Sequence, residues 1–207
     1  MTPRHILVPA DRWVRWCENF AARHGVATLT VADGELRVSA PDGSAAAARL
    51  PFAHLYDGSP DPVVFAAAVE VPARWGVLLV RKGGFAVATV TGDRVAESKV
   101  GQRHVQGRTK AGGQSQQRFA RRRDNQARQA YEAAAEHAAR ILTGDLSALV
   151  CGGDRTAIEQ VLEDPRLRRL VSLRVEPWLA VPDPRRAVLD QAVVDALSVA
   201  VSVTDPG

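Results

Sequence analysis

Three short segments between Trp75 and Lys99, separated by two tight turns, restrict the possible folds more than any other part of this sequence. The segments, which we predict to be strands, cover residues 77–81, 85–91 and 94–99, with turns at Gly83-Gly84 and Gly92-Asp93. Strands joined by turns this short pair as antiparallel neighbours. The segment is therefore predicted to form a three-stranded antiparallel meander.

The patterns that follow the meander alternate between helix and strand. The predicted elements are a long helix at 115–142 capped by Ser115, a strand at 147–151, a helix from the Asp154 cap to 162, a strand at 170–175 and a helix at 185–201. Strands that alternate with helices after a meander indicate an α/β fold with a mixed sheet packed by helices.

Residues 1–74 have a different character and are predicted to form a small α+β extension. A helix from Asp11 to Ala22 is followed by a hairpin, with strands at 26–31 and 35–39 around an Asp33-Gly34 turn. An irregular, proline-punctuated connector comes next. We therefore predict a helix–hairpin extension at 1–74 and a second domain at 75–207 that includes an exposed loop at 101–114.

Composition excludes several classes of protein. The two cysteines, Cys17 and Cys151, are expected to be reduced and buried, and no Cys or His residues have zinc-ligand spacing. No apolar run is long enough for a signal peptide or a membrane span. The sequence therefore predicts a soluble, cytoplasmic monomer with no metal, no cofactor and no membrane partner.

Positive charge is concentrated in one segment of the chain. Residues 99–128 contain nine lysines and arginines against Asp124, a net charge of +8 on a chain whose total is +4, so the rest carries −4. A solvated helix face normally mixes both signs. This distribution favours a nucleic-acid contact. The residues predicted to bind RNA are Arg103, Arg108, Lys110, Arg118, Arg121, Arg122, Arg123 and Arg128.

The basic segment begins as a glycine-rich loop and continues as a helix. Residues 101–113 contain four glycines and almost nothing apolar except Val105, which predicts an exposed loop. On the helix that follows, Arg123 interrupts the apolar stripe that Phe119, Ala130 and Ala134 help to form. This is explained most simply if the first helical turns project from the body, with the loop at their tip.

The motif at this tip is Gly112-Gly113-Gln114-Ser115, followed by Arg118-Phe119-Ala120 and Arg123. It closely resembles the hydrolytic domain of eukaryotic and archaeal class-1 release factors, in which a Gly-Gly-Gln-Ser tip precedes a helix with Arg-Phe-Ala-x-x-Arg. Among its relatives the chain looks most like the actinobacterial branch of the Vms1-like release factors, the VLRF1 family. The resemblance covers about 75–207 and implies a release-factor middle-domain, RNase H-like fold.

The resemblance also implies an activity. Its members hydrolyse the ester of peptidyl-tRNA at the peptidyl-transferase centre, so the expected partners are the ribosomal large subunit with its 23S rRNA and peptidyl-tRNA. The resemblance implies that Gln114 offers its backbone N–H to the oxyanion or the leaving 3′ oxygen; its side-chain amide can order the water, while Gly112 and Gly113 allow close approach. The family's codon-reading domain has no counterpart here. Stop-codon-independent release in ribosome rescue is therefore expected.

Two other functions remain open at this stage. Eukaryotic relatives have been linked to cleavage of the tRNA 3′ end, and a non-catalytic ribosome-binding factor would also need the basic segment. A metal-dependent nuclease built on Asp145 and Asp154 is disfavoured, because both residues occupy loop and cap positions. His104 is interpreted as a neutral loop residue, and the four tryptophans as core residues.

Overall fold

A computed structural model describes residues 3–102 and 114–206, with side chains up to Gly101 and from Arg128 onward. The chain divides into two compact units, one formed by Met1–Val71 with Val194–Gly207 and the other by Pro72–Val193. The elements are β1 Arg4–Val8, α1 Ala10–His24, β2 Thr28–Ala32, β3 Glu35–Ser39, β4 Ala45–Arg49, a 3-10 turn Pro51–Ala53, α2 Pro62–Ala67, β5 Arg74–Arg81, β6 Gly84–Thr91, β7 Arg94–Gln102, α3 Gln114–Ile141, β8 Leu149–Gly153, α4 Arg155–Leu162, a 3-10 turn Pro165–Leu167, α5 Arg168–Val171, β9 Arg174–Leu179, α6 Arg186–Ala196 and β10 Val199–Thr204.

The first unit is a five-stranded antiparallel sheet in the order β1-β10-β4-β3-β2. Helix α1 buries Trp13, Cys17 and Phe20 in a core that the sheet completes with inward-facing residues such as Leu36 and Val201. The predicted hairpin of β2 and β3 is confirmed, with Asp33 and Gly34 at positive φ. Asp11 lies in the first turn of α1, whose N-cap is Pro9.

Strand β10 corrects the prediction of one closing helix at 185–201. Helix α6 ends at Ala196, and the hydroxyl of Ser198 donates to the Val194 carbonyl, 2.8 Å away. The chain then enters the first sheet between β1 and β4. Residues 75–207 were predicted to form one domain, whereas Val194–Gly207 groups with the first unit. Strands β1 and β4 were not predicted.

The second unit contains the predicted mixed sheet, in the order β7-β6-β5-β8-β9. Strands β5, β6 and β7 form the antiparallel meander, and β8 and β9 extend it as parallel strands. The predicted α/β class is thus confirmed. The strand predicted at 170–175 is wrong in part, because α5 continues to Val171 and β9 starts only at Arg174.

Helix α3 packs on the meander through its C-terminal half. Ala134 and Ala138 are fully buried against a core that includes Phe85 and Val87 of β6. The helix begins at Gln114, so Ser115, predicted as its cap, lies inside the first turn. Trp75 is fully buried in the same unit, as expected of a core tryptophan. Among the described residues, no helix has the length and apolar character required to cross a bilayer.

The last turn of α3 is fixed by hydrogen bonds to its carbonyl groups. The buried hydroxyl of Thr89 on β6 donates to the Ile141 carbonyl over 2.7 Å. The guanidinium of Arg169 on α5 donates to the carbonyls of Leu142 and Gly144. Helix ends leave their last carbonyls without intrahelical partners, so these side chains satisfy the carbonyls of the buried residues Ile141 and Leu142.

We predict that Thr89→Val destabilises the protein by about 1–3 kcal/mol, because the Ile141 carbonyl would stay buried without its donor. Thr91→Val, at the exposed end of the same strand, is the matched control and should change stability by less than about 0.5 kcal/mol. Urea unfolding followed by tryptophan fluorescence measures both. Equal midpoints for the two variants would contradict the role assigned to Thr89.

Candidate functional site

The predicted catalytic motif lies at the start of α3. Gln114 is the first of the 28 residues of this helix. Gly112 and Gly113 directly precede it and, like Arg103, Arg108 and Lys110, lie outside the described residues. Arg118, Arg121, Arg122 and Arg123 belong to the first three turns of α3, where the backbone alone is described. With Arg128 further along, the structure places Gln114 and five of the predicted RNA-binding residues on one continuous helix.

Arg128 is the first residue of this basic helix whose side chain is described. It is 73% exposed, and its Nε lies 3.8 Å from the Glu132 carboxylate one turn further on. An exposed ion pair this long is weak, because solvent and salt screen it. The guanidinium of Arg128 is therefore accessible to another anion.

Arg128 also lies at one side of a cleft of about 940 Å³ between α3 and α4. Lys82 and Asp154, which directly follow the parallel strands β5 and β8, form its end. The carboxyl ends of parallel strands are where α/β sheets commonly bind ligands. The other lining residues are Tyr131, Glu132, Ala135, Thr156, Gln160, Glu163, Asp164 and Arg166.

Three of the carboxylates in the cleft are held by partners within the chain. Asp154 accepts from the backbone N–H of Ala157 and caps α4, as the sequence predicted. Hydrogen bonds from Arg166 lower the pKa of Asp164 to about 2. With the pair of Glu132 and Arg128, the cleft presents ionised groups of both signs. No sequence motif marks these residues, because they come from separate elements.

No described group of three or more His, Cys, Asp or Glu side chains is arranged to hold a metal ion. A serine, a histidine and an aspartate do meet in the first unit, where the sequence analysis singled out none of them. The Ser44 hydroxyl and the Asp42 carboxylate both lie about 3 Å from Nδ1 of His24. A catalytic triad needs the two partners on opposite ring nitrogens. This cluster therefore fastens the end of α1 to the β3–β4 turn.

The two cysteines are buried, as the sequence predicted. Burial raises the pKa of Cys17 to about 12, and it raises the pKa of Cys151 to about 12 as well. A thiol acts as a nucleophile only as the thiolate. At neutral pH neither side chain can therefore supply one.

We predict that neither Cys17 nor Cys151 reacts with a thiol reagent in the native protein at pH 8, because both thiols are protonated and enclosed. In urea both become accessible. Mass spectrometry after brief alkylation should count no label on the folded chain and two on the unfolded chain. Rapid native labelling of either residue would show an accessible thiolate and contradict this assignment.

Comparison with known proteins identifies the family to which this chain belongs. The family model of the actinobacteria/chloroflexi VLRF1 release factor matches residues 73–202. The chain therefore belongs to the VLRF1 release-factor family, and the resemblance stated from the Gly-Gly-Gln motif is confirmed. The match begins at the second unit and leaves most of the first unit outside. No curated protein matches this sequence.

Two solved structures with some similarity come from archaea. The archaeal translation termination factor aRF1 is 18% identical, with a TM-score of 0.44, over 76% of this chain and 48% of that one. A structure described as an archaeal protein is 16% identical, with a TM-score of 0.32, over 76% of this chain and 50% of that one. The chain thus spans about half the length of these structures.

Proposed function

We propose that this protein is a stop-codon-independent peptidyl-tRNA hydrolase that releases nascent chains on the ribosome or its large subunit in the cytoplasm. One observation carries the proposal. In a member of a release-factor family, Gly112-Gly113 directly precedes a helix of 28 residues that begins at Gln114. The expected partners are 23S rRNA and peptidyl-tRNA.

The start of a helix suits the charge that develops during ester hydrolysis. The first four backbone N–H groups of α3 have no intrahelical acceptor, and the helix dipole places partial positive charge at the same end. The tetrahedral intermediate carries an oxyanion, and the tRNA ribose leaves as a developing 3′ alkoxide. Preorganised N–H donors stabilise either oxygen without the protein having to reorganise.

Gln114 contributes without acting as a base. A glutamine amide has two N–H donors and an oxygen acceptor, so it can orient a water against the ester carbonyl, although it cannot remove the proton. Gly112 and Gly113 have no Cβ, which lets the main chain approach the substrate closely. In this proposal the ribosome supplies the rest of the reacting environment.

The length of α3 supports the proposal that its N-terminal end reaches into the peptidyl-transferase centre. At about 1.5 Å per residue, the 16 steps from Gln114 to Ala130 extend roughly 24 Å along the helix axis. Ala130 is the first α3 residue whose side chain is described as buried. A helix held at one end in this way can carry its other end away from the domain.

The arginines of α3 would serve as phosphate contacts. Arg118, Arg121 and Arg122 recur at helical spacing, and Arg128 continues the row two turns later. Phosphate contacts hold a protein in register on RNA and contribute salt-dependent affinity without reading sequence. Because the chain outside residues 99–128 is net negative, this basic segment is the part attracted to rRNA.

We predict that Gln114→Ala lowers the rate of peptide release by roughly 100-fold, because it removes the amide that orients the water. The measurement is release of labelled peptide from isolated large subunits carrying peptidyl-tRNA. Gln191→Ala, the same substitution on the exposed side of α6, is the control and should release at the wild-type rate.

The same reaction tests the proposal in two further ways. The tRNA recovered should keep an intact 3′ end; a shortened end would show nuclease activity and overturn the hydrolase. On programmed 70S ribosomes, release should be equal with a sense codon and with a stop codon in the A site. Normal binding by wild-type protein without any release would favour a non-catalytic binding factor.

We predict that Arg122→Gln weakens binding to large subunits about equally for all tRNA species and lowers the slope of log K against log salt by about 1, as expected for one lost phosphate contact. Arg12→Gln removes the same charge from the exposed side of α1 and is the control. Titrations at several salt concentrations give both slopes. Identical slopes for the two variants would remove Arg122 from the interface.

A further inference from the structure

A small cavity lies where the C-terminal half of α3 crosses the ends of β6 and β7. Its volume is about 190 Å³. It is lined by Gly84, Phe85, Lys99, Gly101, Ala130, Ala133 and His137. These residues come from three elements and form no motif, and none of them belongs to the motif on which the proposed function rests.

The walls of the cavity are apolar and well fixed. The rings of Phe85 and His137 are nearly parallel, with centroids 5.5 Å apart, and Phe85 is buried. Only a glycine fits at position 101 beside the Phe85 ring, because a Cβ there would lie 2.3 Å from the ring carbon Cε1. Ala130 and Ala133 contribute only methyl groups. The space is therefore bounded by aromatic rings and by residues with little or no side chain.

The rim of the cavity is polar and carries positive charge. Lys99 is exposed at the end of β7. Arg140, also exposed, donates to Nδ1 of His137 over 2.9 Å, which leaves Nε2 to carry the ring proton. Burial, followed by the charges of Arg140 and Lys99, lowers the pKa of His137. One cation, Lys99, therefore lines the cavity, and a second, Arg140, lies next to it on the lining residue His137.

Size and charge together restrict the occupant. Sites that enclose a whole small molecule usually measure roughly 300–1,000 Å³. At about 190 Å³ this cavity suits one flat ring system whose attached groups stay outside. A purely apolar group would gain nothing from Lys99 and Arg140. A base joined to a sugar phosphate satisfies both requirements, since its ring is flat and its phosphate is anionic.

We propose that this cavity receives one unstacked base of an RNA strand, with the adjoining phosphates against Lys99 and Arg140. Sequence-tolerant recognition of single strands combines stacking on aromatic side chains with cationic contacts to the backbone. The cavity borders the segment of charge +8, so a strand bound by the arginines of α3 would pass close to it. The inference rests on the proposed function only in placing RNA against this unit.

The test compares two fluorescent RNA strands of six nucleotides, hexaadenylate and a strand with the same backbone that lacks its four central bases. Full-length protein should bind hexaadenylate roughly tenfold more tightly, as expected from one well-stacked base. Ala133→Leu fills the cavity and should reduce this preference at least fivefold without weakening binding of the abasic strand. Ala139→Leu, on another side of the same helix, should keep it.

Lys99→Gln supplies a second variant that leaves the packing unchanged. It should weaken the binding of both strands by a similar factor and lower the slope of log K against log salt by about 1. Equal affinity of the wild-type protein for the two strands would overturn the inference, as would an unchanged preference in Ala133→Leu. Peptide release does not enter this assay. If the protein releases peptide but binds both strands equally, the base site alone is overturned. If it releases no peptide but prefers hexaadenylate, the base site is supported and the hydrolase is overturned.

Discussion

Ala134 and Ala138 allow α3 to lie close against β6, and the whole arrangement of the second unit depends on this contact. Both residues are fully buried, and the turn that follows them is fixed by Thr89 and Arg169. A helix can extend beyond its own domain only if one end is held firmly, since an isolated helix in water is marginally stable. The small side chains and the satisfied carbonyls provide that support, and the motif at Gln114 belongs to the same continuous helix.

Positive charge is unevenly distributed along α3. The C-terminal half of α3 is rich in alanine, whereas its N-terminal half contains Arg118, Arg121, Arg122 and Arg123. The dipole of the helix adds partial positive charge at the arginine-rich end. Repulsion among these arginines would destabilise an isolated helix, and a polyanion relieves it. The apolar packing residues and most of the arginines of α3 thus lie in different halves of one helix.

Much of the second unit could be predicted from sequence because its elements carry strong local patterns. The meander has short turns, α3 has a long helical stripe, and Asp154 lies where a helix cap is needed. The first unit was predicted less well. Strand β4, Ala-Ala-Ala-Ala-Arg, lacks the branched residues typical of strands, and β10 was absorbed into the preceding helix.

The candidate site likewise has one part that could be predicted from sequence and other parts that could not. Gly112, Gly113 and Gln114 are adjacent in the chain, so the motif and its family could be recognised directly. The cleft at Lys82 and the cavity at His137 could not, because each combines residues from three or more elements that only the tertiary fold brings together. A single sequence carries no information on such distant neighbours unless they form a familiar spacing.

The position of β10 has a consequence for the order in which the chain can fold. This strand lies between β1 and β4, in the interior of the first sheet, yet it is made after the whole second unit. During synthesis β1 therefore lacks the one neighbour it has among the described strands, and β4 has one open edge, until residue 204 has emerged. Unpaired edges are prone to pair with other chains. The second unit can be complete by then, so the amino-terminal sheet closes after it.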